Sequence, residues 1–155
     1  MTTIVCTRDR MAGDTLATTE HSKSHVPSKV FTIKGWLVGY AGDYGHCMAL
    51  IEELRKTKLN PVLYFQKRDP PPHIKVKKCQ LLLVSPAGTI YHYEGHLQPF
   101  EVAEDYWAIG HDYAYALGAM AVGATVEEAV NAAIKHGTAT GGKVAVRKLR
   151  NGKKG

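Results

Sequence analysis

The clearest apolar pattern in the chain is a helical stripe in its second quarter. Four apolar residues recur there at i, i+3, i+4 and i+7, namely Cys47, Leu50, Ile51 and Leu54. The charged residues Glu52, Glu53, Arg55 and Lys56 lie off this stripe, as expected for a helix with one apolar face. Asp43 lies shortly before the stripe and is a residue type that caps helix N-termini. The pattern predicts a helix that begins after Asp43 and packs through its apolar face.

Short apolar runs between turn residues predict β-strands on both sides of this helix. The first two runs, 2–7 and 11–14, flank a polar turn and predict a hairpin. Further runs of this kind are 29–33, 36–41, 79–85, 89–93, 106–109 and 143–149. Residues 15–27 are rich in Thr, Ser, His and Lys, and they are predicted to form a loop.

Two further helices are predicted towards the C-terminal end. Residues 112–121 are rich in Ala, Gly and Tyr, and small residues suit close packing. Thr125 and Glu128 have the spacing of a capping box. The apolar stripe that follows is formed by Val126, Ala129, Val130, Ala133 and Ile134. Strands, a helix, strands, two helices and a strand indicate an α+β fold in which helices cover a mixed sheet.

The segment 57–78 lacks a regular pattern. Asn60 and Pro61 interrupt any helix that continues from the first stripe, and the prolines at 70–72 exclude helix interior and central strand. We therefore predict that 57–78 is mostly irregular. The apolar piece 61–65 within it would need to be covered, which favours association of the chain with other copies.

Length and composition indicate a single domain, 1–155. The 155 residues are 45% hydrophobic, which is ordinary for a globular protein. No apolar run is long enough to span a bilayer and the N-terminus has no signal sequence, so a cytoplasmic protein without membrane contact is expected. The cysteines, Cys6, Cys47 and Cys79, are odd in number and widely spaced, so we expect reduced thiols.

The net charge of +6 would permit binding to nucleic acid. The excess lies mainly in two clusters, one at Lys75, Lys77 and Lys78 and one in the C-terminal segment 147–154. Neither cluster contains the interleaved aromatic residues that stack on bases. A solvated basic tail at 150–155 is the favoured interpretation, and nucleic-acid binding is ranked last among the functions considered.

The eight histidines raise the question of a metal site. His21 and His25, like His92 and His96, have i, i+4 spacing, which converges on one face only in a helix. The first pair lies in the predicted loop and the second spans a strand end. No Glu lies inside either pair as in the zinc motif His-Glu-x-x-His. Neither a metal nor another cofactor is expected.

The start of the chain carries the candidate chemistry. A methionine before a small second residue is normally removed, and removal of Met1 would leave Thr2 with an α-amino group and a β-hydroxyl on one residue. Such a residue is a nucleophile that carries its own base. An unperturbed α-amine titrates near ~8, so at neutral pH a useful fraction can accept the hydroxyl proton. The alternative is an ordinary first strand whose terminus has no chemical role.

Several short motifs have a distinctive order and spacing along the chain. They are Thr-Thr-Ile-Val at 2–5, Ala-Gly-Asp at 12–14, Lys-Val at 29–30, Gly-Tyr-Ala-Gly at 39–42, Ala-Ile-Gly at 108–110, Tyr-Ala-Tyr-Ala-Leu at 113–117, Gly-Ala-Thr-Val-Glu-Glu-Ala at 123–129 and Thr-Gly-Gly at 140–142. Together with the order of elements, they resemble the proteasome β-subunit family, which includes the bacterial peptidase HslV. The resemblance covers most of the chain. It implies the four-layer αββα sandwich of N-terminal-nucleophile hydrolases, with the second helix region, 57–78, shortened or irregular.

The resemblance also implies roles for individual residues. Thr2 would be the nucleophile and its amine the general base, with Asp14 and Lys29 as the charged pair beside it. An ammonium close to the threonine favours the neutral amine and a developing alkoxide, and a carboxylate holds that ammonium in position. Gly42 would direct its N–H at the substrate oxyanion, and Thr18 would pair with an extended peptide as an added strand.

Two positions depart from the family pattern. Where the family has a serine after the Ala-Ile-Gly strand end, this chain has His111, which is either a changed catalytic partner or a polar helix start. Where the proteasome branch has an aspartate before its Ser-Gly-Gly turn, this chain has Gly137. Support from a carboxylate on that side of the threonine is therefore expected to be absent.

The sequence leads to four functional hypotheses. The first is a threonine peptidase that cleaves peptides or unfolded proteins through an acyl-enzyme on Thr2, in a homo-oligomeric ring or double ring, with a partner ATPase unfoldase left open. The second is a proteasome-like ring or scaffold protein with impaired catalysis. The third is an N-terminal-nucleophile amidase that acts on small amides, and the fourth is a basic nucleic-acid-binding module.

Overall fold

The computed structural model describes residues 2–18, 22–95 and 97–150. Within these ranges the helices are α1 (Tyr44–Lys56), α2 (Pro61–Lys67), α3 (Tyr113–Ala121) and α4 (Val126–His136), with a 3-10 helix at Val76–Lys78. The strands are β1 (Thr3–Thr7), β2 (Arg10–Asp14), β3 (Leu16–Thr18), β4 (Lys23–His25), β5 (Val30–Ile33), β6 (Trp36–Gly42), β7 (Cys79–Val84), β8 (Ile90–Glu94), β9 (Phe100–Val102), β10 (Tyr106–Gly110) and β11 (Val144–Lys148). The expectations for Met1, His21, His96 and the tail beyond Arg150 lie outside the described residues.

Two antiparallel sheets form the centre of the fold. The first has the strand order β10-β1-β2-β11, and the second has the order β5-β6-β7-β8-β9. One buried cluster lies between the sheets and includes Ile4 and Met11 from the first and Leu37 and Leu82 from the second. Helices α3 and α4 pack on the other face of the first sheet, and α1 and α2 pack on the other face of the second. The chain therefore has the predicted α+β sandwich of the αββα type.

Strand β1 shows how the sequence determines this layering. Ile4 and Cys6 belong to the cluster between the sheets, whereas Val5 belongs to the cluster with α3 and α4. Successive side chains of a strand point to opposite faces. Because both faces of β1 are buried, its middle residues Ile4, Val5 and Cys6 form a continuous apolar run and do not alternate with polar residues.

Two helices begin where the sequence predicts. The Asp43 carboxylate accepts a hydrogen bond from the His46 N–H at 3.1 Å and caps α1, whose four stripe residues are at most 1% exposed. Thr125 and Glu128 form the predicted capping box of α4, in which each side chain accepts from the other's backbone N–H at 3.1 and 2.8 Å. Local signals at both helix starts agree with the tertiary packing.

The prediction that 57–78 is mostly irregular is wrong where α2 forms. The Asn60 side chain accepts a hydrogen bond from the Leu63 N–H at 2.9 Å and caps this helix. Pro61 occupies the first turn, where a missing N–H costs no helical hydrogen bond. The helix has seven residues, so Asn60 and Pro61 start a helix here instead of only ending one.

The apolar piece 61–65 is covered within the chain. Tyr64 and Phe65 are 4% and 6% exposed, and the Phe65 ring stacks on Tyr93 with centroids 3.9 Å apart. These rings fill the space between α2 and the second sheet. The segment therefore gives no reason to expect association with another copy, contrary to the expectation from its composition.

The predicted loop 15–27 contains a hairpin. Strands β3 and β4 pair antiparallel, with Leu16 opposite His25 and Thr18 opposite Lys23. All of β4 is exposed, so no apolar residues mark it in the sequence. Strand β9, which is also missing from the predicted elements, is a short strand at the edge of the second sheet.

The cysteines Cys6, Cys47 and Cys79 are buried free thiols, as predicted. Burial raises the pKa of the Cys6 thiol well above its ordinary value, so this group stays protonated. No helix in the described ranges combines the length and the apolar character needed to cross a membrane.

Candidate active site

A buried ion pair lies where β2 ends and β5 begins. Asp14, the last residue of β2, is 0% exposed, and Lys29, just before β5, is 2% exposed. Lys29 Nζ lies 3.2 Å from each carboxylate oxygen of Asp14, and it also donates to the carbonyl oxygen of Leu16 at 2.5 Å. Buried charges are tolerated when they are paired and hydrogen-bonded, so Asp14 and Lys29 depend on each other.

The same ammonium contacts Thr2. Lys29 Nζ donates to Thr2 Oγ1 at 2.9 Å, and Thr2 is 4% exposed. Burial lowers the pKa of Lys29, while the charge of Asp14 and its hydrogen bond offset part of that effect. A positive charge at this distance from a hydroxyl stabilises the alkoxide form of that hydroxyl.

Backbone contacts hold Thr2 on both sides. Its carbonyl oxygen accepts a hydrogen bond from the His111 N–H at 2.9 Å, and the N–H of Thr3 donates to Asp14 Oδ1 at 3.1 Å. Gly110 has a φ of 107°, and a Cβ at this position would collide with the Thr2 carbonyl. Glycine at 110 is therefore what allows β10 to lie so close to Thr2.

The residues that the resemblance assigned to a site lie together in the structure. A cavity of ≈ 840 Å³ is lined by Thr2, Thr18, Lys29, Gly42 and His111, among other residues. Asp14 lies behind Lys29 and is fully buried. The cavity thus places a threonine hydroxyl, a buried ion pair, a glycine backbone and an imidazole around one space.

Gly42 ends β6 at the wall of this cavity. Its φ is 130°, and a Cβ would collide with the carbonyl oxygen of Lys78. This contact alone requires glycine, so the role of Gly42 towards an oxyanion stays a prediction. Thr18 ends β3, and Leu16 and Ala17 of that strand line the cavity beside it.

The two residues after β10 have different surroundings. His111 is exposed at the cavity, whereas Asp112 is 5% exposed. Although Asp112 precedes α3, its side chain does not cap that helix. The carboxylate accepts hydrogen bonds from Thr138 N–H at 3.3 Å, Ala139 N–H at 3.0 Å and the Thr140 hydroxyl at 2.6 Å.

A carboxylate is present on the side of the site where Gly137 implied that none would be. A Cβ at Gly137 would lie 2.5 Å from Asp112 Oδ2 and 2.5 Å from the carbonyl oxygen of Ala133. Asp112 thus fills part of the space that a side chain at 137 would need. The aspartate of the proteasome branch is absent at 137, but a carboxylate from a different element lies beside this position.

Sequence reasoning missed the contact between Thr140 and Thr3 and the place of Tyr40 at the cavity. Thr140 Oγ1 lies 2.7 Å from Thr3 Oγ1, and the motif 140–142 was the only signal for it. Tyr40 lines the cavity although it is 2% exposed, and burial raises the pKa of its hydroxyl. Nothing in the apolar run around Tyr40 distinguishes it from a core residue. In the described parts of the chain, no three His, Cys, Asp or Glu residues are grouped as metal ligands.

Comparison with known proteins gives matches in structure. No protein-family model and no curated protein matches this chain. Eukaryotic HslV from Trypanosoma brucei matches with a TM-score of 0.75 and 18% identity, over 96% of this chain and 99% of that chain. Thiobacillus denitrificans BPH matches with a TM-score of 0.69 and 19% identity, over 96% of this chain and 98% of that chain. BPH in complex with epoxomicin matches with a TM-score of 0.69 and 20% identity, over 97% and 99%. At these identities the matches show a common fold, and they confirm the predicted HslV and proteasome type of fold.

Proposed function

We propose that this chain is a threonine peptidase that cleaves peptide bonds through an acyl-enzyme on Thr2. The observation that carries the proposal is the position of Lys29 Nζ, which lies 2.9 Å from Thr2 Oγ1 and 3.2 Å from each carboxylate oxygen of Asp14. A hydroxyl that contacts a buried ammonium suits a nucleophile whose alkoxide needs stabilisation. The fold in common with HslV supports the same function.

The proposed reaction needs the α-amine of Thr2 and therefore the removal of Met1. The amine accepts the hydroxyl proton as Thr2 Oγ1 attacks the carbonyl carbon of the peptide bond. The C–N bond then breaks, the leaving nitrogen takes that proton, and the acyl group stays on Oγ1 as an ester. Water attacks this ester while the same amine accepts the water proton. The acid product leaves and the proton returns to Oγ1.

The neighbouring residues have separate parts in these steps. Lys29 stabilises the alkoxide and favours the neutral form of the adjacent amine, because two like charges repel. Asp14 holds Lys29 in position. The N–H of Gly42 donates to the oxyanion of the tetrahedral intermediate. His111, which is exposed at the cavity, relays the proton from the Thr2 amine to the leaving nitrogen.

The proposed substrate is an extended peptide or a segment of an unfolded protein. Strand β3, which includes Thr18, lines the cavity, and extended peptides commonly bind beside an existing strand through backbone hydrogen bonds. The proposed setting is a homo-oligomeric ring or double ring in the cytoplasm. The fold in common with HslV supports the ring, and three free thiols suit a reducing compartment. Native mass spectrometry counts the subunits, and a monomer at micromolar concentration would contradict this part of the proposal.

A peptide epoxyketone tests the nucleophile. Incubation with epoxomicin, with which BPH was solved in complex, should add one inhibitor mass to the chain without Met1, and peptide mapping should locate it at Thr2. Thr2→Ala and Lys29→Met should prevent the adduct. Thr7→Ala removes a threonine hydroxyl at the other end of β1 and should react like the parent. An unmodified parent under saturating reagent, or a chain that retains Met1, would contradict the peptidase.

A further inference from the structure

Asp112 is a buried carboxylate held by neutral donors. It is 5% exposed, and the hydrogen bonds to its two oxygens come from Thr138, Ala139 and Thr140. A charge is tolerated in such a place where donors of the protein replace water. All three donors lie in the segment after α4, far from Asp112 in sequence, so the carboxylate joins two separate parts of the chain.

The hydrogen bonds of Asp112 have a fixed direction. An ionised carboxylate only accepts, so the Thr140 hydroxyl gives its single proton to Asp112 Oδ2 at 2.6 Å. The oxygen of Thr140 must then accept the proton of the Thr3 hydroxyl, which lies 2.7 Å away. Burial raises the pKa of Asp112, but its hydrogen bonds and the nearby His111 outweigh this effect and leave the pKa below its ordinary value. The carboxylate therefore stays ionised at neutral pH and determines which hydroxyl donates.

The segment 138–141 also contacts the ion pair of the site. The N–H of Gly141 donates to Asp14 Oδ2 at 3.2 Å. The carbonyl oxygen of Gly141 accepts from the N–H of Leu16 at 3.2 Å, and the carbonyl oxygen of Leu16 accepts from the site ammonium. Asp112 holds the segment 138–141, and this segment contacts both Thr3, which is next to Thr2, and Asp14, which holds the Lys29 ammonium.

We propose that Asp112 is a positioning residue of the Thr2 site. Through Thr140 and the segment 138–141 it orients Thr3 and Asp14, and through them the Thr2 hydroxyl and Lys29. Asp112 does not line the cavity, so it acts without touching substrate. The effect on reactivity rests on the proposed peptidase function, whereas the ordering of Thr3 and Asp14 does not.

The test uses four variants and one control. Asp112→Asn removes the charge, Thr140→Val removes the hydroxyl, and Asp112→Asn with Thr140→Val removes both. Thr140→Ser keeps the hydroxyl. The control Asp105→Asn makes the same change of side chain at an aspartate that is 88% exposed.

The first readout is the rate of epoxyketone adduct formation. Asp112→Asn and Thr140→Val should each slow it by about tenfold or more, because each breaks a charge-assisted hydrogen bond. The double variant should be little slower than the slower single variant, because both residues act in one hydrogen-bond chain. Thr140→Ser and Asp105→Asn should react like the parent. With a peptide substrate, kcat should fall while KM stays near the parent value.

The second readout does not depend on activity. Hydrogen exchange at the backbone N–H groups of Thr3 and Gly141, which both donate to Asp14, should be about tenfold faster in Asp112→Asn and Thr140→Val. Exchange at Leu82, in the core of the second sheet, should be unchanged.

Parent-like exchange at Thr3 and Gly141 in Asp112→Asn would overturn the proposal. Equal acceleration at Leu82 would also overturn it, because that result means a general loss of stability. If the parent forms no adduct, the peptidase function fails, and the exchange experiment alone decides whether Asp112 orders Thr3 and Asp14. If exchange responds as expected and the adduct rate does not, the catalytic part of the proposal is overturned.

Discussion

Two buried carboxylates lie near the first residues of the chain, and they are stabilised in different ways. Asp14 is 0% exposed and faces the ammonium of Lys29 at 3.2 Å. Asp112 is 5% exposed and faces two backbone N–H groups and a hydroxyl. The partner of Asp14 contacts the Thr2 hydroxyl, whereas Thr140, the side-chain partner of Asp112, contacts the Thr3 hydroxyl.

This difference separates two uses of a buried charge. In the ion pair, loss of one member leaves a charge without a partner, which is costly in a low dielectric. In the neutral network, loss of one donor leaves the carboxylate with other hydrogen bonds, so the cost is that of a single bond. The ion pair should therefore be the more sensitive region, both in stability and in reactivity.

Loss of the ammonium should have the largest effect. Lys29→Met should lower the free energy of unfolding by about 3–5 kcal/mol, because Asp14 remains buried without its partner, and it should abolish the epoxyketone adduct. Urea unfolding measures the first effect and intact mass the second. Lys56→Met, at a lysine that is 73% exposed, is the control. A Lys29→Met variant with parent stability would show that burial of Asp14 does not depend on its charged partner, which would contradict the proposed difference between the two carboxylates.

Asp112→Asn should be less costly, and its effect should depend on pH. The folded pKa of Asp112 lies below its ordinary value of 3.8, so its ionisation contributes stability that is present above pH 3.8 and is lost as the pH falls through the folded pKa. At pH 7 the variant should be less stable by about 1–3 kcal/mol. Urea unfolding at pH 7 and in acid should show the difference between parent and variant shrinking at low pH, and a constant difference would contradict the ionised carboxylate.

The hydrogen bond between Thr3 and Thr140 should contribute less to the free energy of unfolding than the Asp112 carboxylate does. Thr3→Val and Thr140→Val each break a hydrogen bond between hydroxyl groups at 2.7 Å, and Thr140→Val also removes a donor to Asp112. Thr3→Val should cost about 1 kcal/mol and Thr140→Val somewhat more. In a double-mutant cycle, the double variant should lose less stability than the sum of the two single losses, by more than about 0.5 kcal/mol. Additive losses would show that the two hydroxyls are not coupled.

The smallest effect is expected at an exposed carboxylate. Asp105 pairs with Arg8 at 2.8 Å, but its side chain is 88% exposed. Asp105→Asn should change the free energy of unfolding by less than about 1 kcal/mol, and added salt should reduce the effect further. A loss as large as that of Asp112→Asn would mean that burial does not account for the difference between these carboxylates.

The fold could be predicted where local signals and burial agree. Asp43 and the stripe through Leu54 predicted α1, and the capping box at Thr125 predicted α4. The hairpin of β3 and β4 could not be found because its second strand is exposed on both faces. Helix α2 was missed because Asn60 and Pro61 suit both the end of one helix and the start of another. The burial of Tyr64 and Phe65 decides between them, and burial is a property of the folded chain.

The candidate site was predictable in its residues but not in its connections. The motifs that include Thr2, Asp14 and Lys29 carried the resemblance, and these residues are in contact. The place of Asp112 was not predictable, because its donors come from a segment far away in the sequence and only tertiary packing brings them together. A single glycine at 137 gave no indication that a carboxylate from another element lies beside it.

The protons of the Lys29 ammonium can be compared with the acceptor oxygens around it. An ammonium has three protons, whereas the described residues place at least four acceptor oxygens around Nζ, from Thr2, Leu16 and the two oxygens of Asp14. Acceptors therefore outnumber the protons of the ammonium. In the proposed acyl-enzyme, Thr2 Oγ1 would belong to an ester and would be a poorer acceptor, but three of these oxygens would remain for the three protons. The proposed reaction would therefore leave the buried charge with acceptors at the acyl-enzyme stage.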